Sequence, residues 1–155
     1  VRILVLTISD RAFRGEYEDL SGPAVRDILL DSVPGCEVRV EIVPDDEPVI
    51  TGALERGLGG DVIITTGGTG LGPRDITPEV TKKFCERAVP GLSEMLRAES
   101  LKETPNSTLS RGFAGVRGST LIVNIPGSVK GASFCVRLLA PLLEHAVGMM
   151  GGEGH

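Results

Sequence analysis

Asp61-Val62-Ile63-Ile64-Thr65-Thr66-Gly67-Gly68-Thr69-Gly70-Leu71-Gly72-Pro73-Arg74-Asp75-Ile76-Thr77-Pro78-Glu79 decides how this chain is read. Asp61 to Ile64 is a short apolar run that reads as a buried strand. Thr77 then offers an N-cap hydroxyl and Pro78 a first helical position, so a helix starts there. Strand, glycine turn and helix N-terminus together make an anion site, because free backbone N–H groups and the helix dipole both favour negative charge. Arg74 can add a bidentate grip on phosphate. Asp75 has the wrong sign for phosphate. A bridging cation would explain it, and so would a favourable charge at the helix start.

Working outward, the same alternation repeats. Val1 to Ile8 is almost continuously aliphatic and reads as a strand covered on both faces. Ser9 to Leu20 is polar and reads as a loop. Gly22 to Leu30 carries Val25, Ile28 and Leu29 at helical spacing. Val38 to Val43 alternates as a second strand, Pro44-Asp45-Asp46 breaks it, and Glu47 to Leu58 reads as a helix. Thr77 to Ala88 and Leu92 to Lys102 are two more helices. Thr104 to Gly118 is irregular, and Thr120 to Ile125 is a strand. Pro126-Gly127-Ser128 turns into a last helix with Ala132, Val136, Leu139, Leu143 and Ala146 as its apolar stripe. Strands alternating with helices predict an α/β fold: a three-layer, open, mostly parallel sheet with helices on both faces. Residues 1–150 form one domain and 151–155 a flexible tail.

Composition narrows the function. The chain has 155 residues, enough for one domain with a proper core. That core is aliphatic, with no Trp, one Tyr and four Phe. Sixteen basic against twenty-one acidic residues give a net charge of −5, which argues against nucleic acid and membrane surfaces as partners. The longest charge-free run reads as too weakly apolar to span a bilayer. No signal-peptide pattern opens the chain. Cys36, Cys85 and Cys135 lack zinc-type spacing, and their odd number fits a reducing, cytoplasmic setting in which they are buried for packing. Asn106-Ser107-Thr108 is a glycosylation sequon by chance, given no secretion signal. The missing first Met fits trimming or excision from a larger parent protein.

Ligands of open α/β sheets sit beyond the carboxyl ends of the strands. The residues there are Ser9 and Asp10; Asp45; Thr66 to Asp75; and Asn124 with Pro126-Gly127-Ser128. Arg11, Arg74 and Arg111 lie in loops able to close over such an edge. Ser128 suits either an ordinary N-cap or an anion contact. Asp45 and Asp75 are the best metal candidates, since magnesium accepts one or two carboxylates plus water and substrate phosphates. Asp10 and Asp46 are weaker ones, Asp45 equally suits a Pro-Asp turn, and Glu79 reads as a helix-start charge. His145 and His155 are poorly placed as a general base, which argues against a Ser-His triad. Phosphoryl or nucleotidyl transfer needs no such base when the nucleophile is an ionised phosphate. The loop is neither a Walker A motif, lacking Gly-Lys-Ser/Thr, nor a dinucleotide fingerprint, which would follow the first strand.

These residues resemble the molybdopterin adenylyltransferases of molybdenum cofactor biosynthesis, a family that includes the corresponding domain of gephyrin. Ser9-Asp10-Arg11, Glu18-Asp19-Leu20-Ser21-Gly22, Val43-Pro44-Asp45, the whole Thr65–Glu79 segment, Leu109-Ser110-Arg111, Gly115-Val116-Arg117-Gly118 and Asn124-Ile125-Pro126-Gly127-Ser128 carry the resemblance in order. Ile125, where Leu is usual, and Leu71-Gly72 depart conservatively. Molybdenum-insertion domains share the glycine loop but vary the Arg-Asp and Thr-Pro-Glu portion kept here. The resemblance implies that the terminal phosphate of molybdopterin attacks the α-phosphorus of Mg-ATP, giving adenylyl-molybdopterin and pyrophosphate. It implies Asp45 and Asp75 as catalytic, magnesium-linked carboxylates, and Ser9, Asp10, Thr66, Gly67, Gly68, Thr69, Gly70 and Arg74 on the nucleotide side. Ser110, Arg111, Pro126, Gly127 and Ser128 fall on the molybdopterin side. It further implies a homotrimer and a metal-insertion partner protein. The alternative is a non-catalytic module that binds molybdopterin as a scaffold.

Overall fold

The computed structural model describes residues 1–153. Four parallel strands form the centre of its sheet: β1 (Arg2–Ile8), β2 (Glu37–Val43), β3 (Val62–Thr66) and, last in the chain, Thr120–Ile125. Two short strands, β4 (Arg87–Ala88) and β5 (Ala114–Arg117), extend one edge. The Thr120–Ile125 strand is therefore β6, and the spatial order is β2-β1-β3-β6-β5-β4, with β5 antiparallel to both neighbours.

Side chains alternate between two apolar layers. Ile3 and Val5 of β1 and Val62 and Ile64 of β3 face one core, with α2 (Ser21–Ser32) and the last helix, Val129–Met150, over them. Leu4, Leu6 and Ile8 of β1 and Ile63 of β3 face the other, under the helices Glu47–Gly57 (α3) and Thr77–Phe84 (α4). The expected three-layer α/β architecture is the one observed. Burial on both faces explains why β1 and β3 are continuously aliphatic instead of alternating. Each fully buried Leu or Ile contributes about 1.5–3 kcal/mol relative to an exposed one.

Chain order places the site. From β1 the chain moves outward to β2, then returns to β3 on the other side of β1. The connections diverge between β1 and β3, and that crevice beyond the carboxyl ends is where such sheets bind ligands.

Several local expectations need correction. The Ser9–Leu20 loop contains a one-turn helix, α1 (Asp10–Phe13), because the Ser9 hydroxyl accepts the Ala12 N–H at 3.2 Å. Thr77 lies inside α4 and does not cap it, since Ile76 occupies the capping position. α4 stops at Phe84, short of Ala88. Arg117 donates to the Phe84 carbonyl at 2.9 Å, and Arg87 and Ala88 pair with Val116 and Gly115. The fourth expected helix is α5 (Pro90–Ser100). The Thr104–Gly118 segment holds a 3₁₀ turn at Pro105–Leu109 and strand β5, joined to β6 by the two-residue hairpin loop Gly118-Ser119.

The last helix is α6 (Val129–Met150), which carries Lys130, Arg137 and Glu144 and so is not a charge-free run. An 18-residue stretch within its 22 residues has a mean hydropathy of 1.2, long and apolar enough to cross a membrane by length and composition. In this fold Ala132, Cys135, Val136, Leu139, Ala140 and Leu143 are instead buried in the first core. Cys135 is buried, whereas Cys36 and Cys85 are only partly so. Of the expected tail, Gly151 and Gly152 form a turn after α6, and Gly154 and His155 lie outside the described residues.

Candidate functional site

At the end of β3 the backbone must turn within the crevice. Gly67 has φ +102°, and a Cβ there would lie 2.3 Å from the Ile8 carbonyl at the end of β1. Only glycine fits so close an approach in that backbone region. The Gly67 N–H donates to the Ile125 carbonyl at 3.2 Å, so this amide is spent on the sheet and is not open to an anion. Among the described residues, no protein group takes the amides of Gly68, Thr69 or Gly70. The Thr66 hydroxyl donates to the Pro126 carbonyl at 2.7 Å, which ties the glycine turn to the Pro126-Gly127-Ser128 turn.

A polar cluster stands over the ends of β1 and β2. Asp10 and Asp45 exchange main-chain to side-chain hydrogen bonds, each amide donating to the other's carboxylate at 3.0 Å. Arg74 reaches back from the turn and grips Asp10 with Nε at 2.6 Å and Nη2 at 3.2 Å, and Nη2 also donates to the Asp45 carbonyl at 2.8 Å. Its bidentate fork is thus directed at Asp10. Hydrogen bonding from Arg74 holds the Asp10 carboxyl below its ordinary range, despite some desolvation. Asp45 is shifted the other way. Burial raises it first, and the nearby charges of Asp10 and Asp75 add to the rise against the Asp10 N–H.

Two polar atoms here are buried without a partner, Asp45 Oδ1 and Thr77 Oγ1. Both face Gly68, where an added Cβ would lie 3.1 Å from the first and 2.2 Å from the second. A half-buried carboxylate with one oxygen unpaired, and two further carboxylates near it, is a donor set that fits a hard cation. Among the described residues no group of three His, Cys, Asp or Glu forms a metal cage, and magnesium needs none.

Asp75 closes the turn on itself. Its Oδ2 accepts the Gly72 N–H at 2.9 Å, and its own N–H donates to the Gly72 carbonyl at 3.0 Å. Arg111 crosses over from the segment before β5. Its N–H donates to the Thr69 carbonyl at 3.0 Å, Nε to Gly70 at 2.9 Å, Nη2 to the Asp75 carbonyl at 2.6 Å, and Nη1 pairs with Glu79.

Beside this turn lies a cavity of about 310 Å³, lined by Thr69, Gly70, Ser110, Pro126, Ser128 and Lys130 among others. That volume suits a small organic ligand. Ser128 caps α6, its hydroxyl accepting the Gly131 N–H at 3.1 Å.

The expected residues therefore converge on one sheet edge. Ser9, Asp10, Asp45 and Arg74 gather over β1 and β2, Thr66 to Gly70 span the crevice, and Ser110, Pro126 and Ser128 line the cavity, with Gly127 against Gly67. Asn124 does not join them. It is buried, donates to Thr65 and Thr81 at 2.8 and 3.0 Å and accepts the Phe113 N–H, so it cross-links β3, β6 and α4. Asp46 caps α3. Arg11 lies over the Tyr17 ring, 5.1 Å from its centre. Three residues were not anticipated: Thr77 as an unpaired hydroxyl, Tyr17 bonded to the Ser9 hydroxyl at 2.8 Å, and Lys130 in the cavity wall. Lys130 and Phe134, four apart on one face of α6, could have been found by helical spacing.

Residues 4–145 match the family model described as "Probable molybdopterin binding domain". The chain belongs to this molybdopterin-binding family. It is 41% identical over 157 residues to the molybdopterin adenylyltransferase of Helicobacter pylori strain J99, covering 99% of this chain and 89% of that protein. It is also 41% identical to the molybdenum cofactor synthesis protein cinnamon of Drosophila melanogaster, covering 96% of this chain but only 25% of that larger protein. Among solved structures, the molybdopterin biosynthesis enzyme MoaB of Thermus thermophilus superposes with a TM-score of 0.89 at 46% identity, covering 97% of this chain and 96% of that one. In this molybdopterin-binding domain the glycine turn touches both the carboxylates, at Gly68 and Gly70, and the cavity, at Thr69 and Gly70.

Proposed function

We propose that this chain acts in molybdenum cofactor biosynthesis as a molybdopterin adenylyltransferase, joining the adenylyl group of ATP to the terminal phosphate of molybdopterin and releasing pyrophosphate. The observation that carries this reading is the juxtaposition of two half-sites on one turn. Asp45 lies against Gly68 and Asp75 against Gly70 and Gly72, while Thr69 and Gly70 line the 310 Å³ cavity. The relatives named molybdopterin adenylyltransferase match nearly the full chain and support the chemistry.

In this reading the free amides of Gly68, Thr69 and Gly70 receive the triphosphate. Ser9 and Asp10 border the nucleotide, and Arg74 holds Asp10 beside Asp45. Asp45 and Asp75 would hold magnesium, which when bound offsets phosphate charge and orients the leaving pyrophosphate. Ser110, Pro126, Gly127 and Ser128 would seat the pterin, with Lys130 adding positive charge to the same wall. No side chain needs to remove a proton, because the nucleophile is an ionised phosphate. His145 fits that reading: it lies seventeen residues after Ser128, roughly 25 Å along α6, and lines a separate groove with Arg87 and Met149. Rate then comes from holding two anions in line, an effect that reaches about 7–11 kcal/mol where alignment is good.

The test is incubation of the purified protein with molybdopterin, ATP and magnesium, with pyrophosphate assayed. Pyrophosphate release that requires all three components is expected. Binding of molybdopterin without pyrophosphate would replace this reading with that of a scaffold module. Sedimentation of the same preparation tests the homotrimer that the family resemblance implies.

A further inference from the structure

Arg111 braces the turn from the β5 side, as Arg74 braces it against Asp10 and Asp45, and three of its five guanidinium N–H groups are already committed. Its main-chain N–H, Nε and Nη2 donate to the carbonyls of Thr69, Gly70 and Asp75, and Nη1 pairs with Glu79. Those carbonyls bracket the Gly70–Asp75 turn at both ends. The turn has no apolar anchor of its own, since Leu71 at its tip is 68% exposed. Within it, Asp75 is held to Gly72 by its carboxylate and its N–H. The orientation of the Asp75 carboxylate therefore depends on where Arg111, together with the neighbouring Arg74, places the Asp75 main chain.

We infer that Arg111 is a positioning residue, which fixes Asp75 toward Asp45 through the turn backbone and does not contact the pterin. This rests on the reading that Asp75 works beside Asp45 in adenylyl transfer. The residue type follows from the geometry. Two carbonyls and a carboxylate are met at once by a planar guanidinium fork, whereas a single ammonium reaches one or two of them. An arginine that served only as positive charge for an anionic substrate would not have its donors committed to main-chain carbonyls.

Three variants separate the roles: Arg111→Ala, Arg111→Lys and Glu79→Gln. Arg111→Lys keeps length and charge, and serves if Arg111→Ala does not fold. Steady-state kinetics would be paired with hydrogen exchange at the Gly72 and Asp75 amides. Both Arg111 variants are expected to lose kcat by about 100-fold, the size of effect that a displacement of ~1 Å produces. KM for molybdopterin should stay within about threefold, since the lost interaction acts through the transition state. Turn amides should exchange faster in both. Glu79→Gln keeps the carbonyl contacts, so slow exchange persists and kcat falls by no more than about fivefold, as for an exposed ion pair. Full kcat in Arg111→Lys, or a raised KM for molybdopterin at unchanged kcat in Arg111→Ala, would make Arg111 a pterin contact and overturn the inference. Unchanged exchange in both Arg111 variants would overturn it as well. If the wild-type chain releases no pyrophosphate, the adenylyl-transfer reading fails, and the exchange measurement still decides whether Arg111 holds the turn.

Discussion

Gly67→Ala tests the crevice directly. An alanine at φ +102° leaves the regions open to L-residues, at about 1–3 kcal/mol. The new methyl would also lie 2.3 Å from the Ile8 carbonyl, so backbone must move by roughly 1 Å to restore van der Waals contact. Overpacking of that kind adds about 1–3 kcal/mol. The sum, about 2–6 kcal/mol, is below the ~5–15 kcal/mol that stabilises a typical domain at all but its upper end, so the variant is expected to fold. For a chain of this length it corresponds to a fall in Tm of roughly 5–20 °C. Gly118→Ala is the open-space control, because Gly118 has φ +55° and nothing within 4 Å of its would-be Cβ. It carries backbone strain without the clash. Urea unfolding of both variants should place Gly67→Ala below Gly118→Ala by at least about 1–3 kcal/mol, the overpacking part plus the extra strain of φ +102° over +55°. The same displacement shifts Gly68 and Thr69, so adenylyl transfer should drop about 100-fold or more. If Gly67→Ala matches Gly118→Ala in stability, the close approach between β1 and β3 is not what demands glycine, and the reasoning fails.

Three further outcomes are expected. Asp75→Ala should abolish adenylyl transfer while molybdopterin still binds in a fluorescence titration; full turnover would remove Asp75 from the carboxylate pair. Asp45→Asn should be inactive yet more stable than wild type at neutral pH. The folded-state Asp45 carboxyl is raised by burial and by Asp10 and Asp75, so its ionisation works against the fold. The gain should be absent below the ordinary carboxylate range, grow as pH rises through the raised value, and then stay constant; a stability loss at pH 7 in urea melts would refute that sign. The Cys85 thiol is pushed up to about 11 by burial. At pH 8 only about one such thiol in a thousand is ionised, so iodoacetamide should label Cys85 far more slowly than an unfolded-chain thiol, and equal rates by mass mapping would contradict its environment.

Much of the fold was legible because its signals are local. The aliphatic runs of β1 and β3, the Thr120–Ile125 strand and the stripe of α6 repeat at the periods of their elements, and the Thr-Gly-Gly-Thr-Gly turn marks a strand-to-helix reversal. β4 and β5 escaped because they are short, and β4 exists only through its partner. The Gly118-Ser119 hairpin signal was present in the chain. α4 ends where a residue 33 positions later caps its carbonyl, which no helix propensity encodes.

By itself the sequence determined that a glycine-rich turn follows the third strand, and which polar residues stand at strand ends. Only the tertiary structure decided what those residues do. Arg74 meets Asp10 across 64 positions, Arg111 meets Gly70 across 41, and Asn124 turns inward to Thr65 and Thr81. Each polar group seeks a partner because burial without one costs about 1–3 kcal/mol. The partner it finds is set by how the strands order themselves in the sheet. That order brings β1 beside β3, closes Gly67 onto Ile8, and leaves Asp45 Oδ1 and Thr77 Oγ1 buried against Gly68 without a partner.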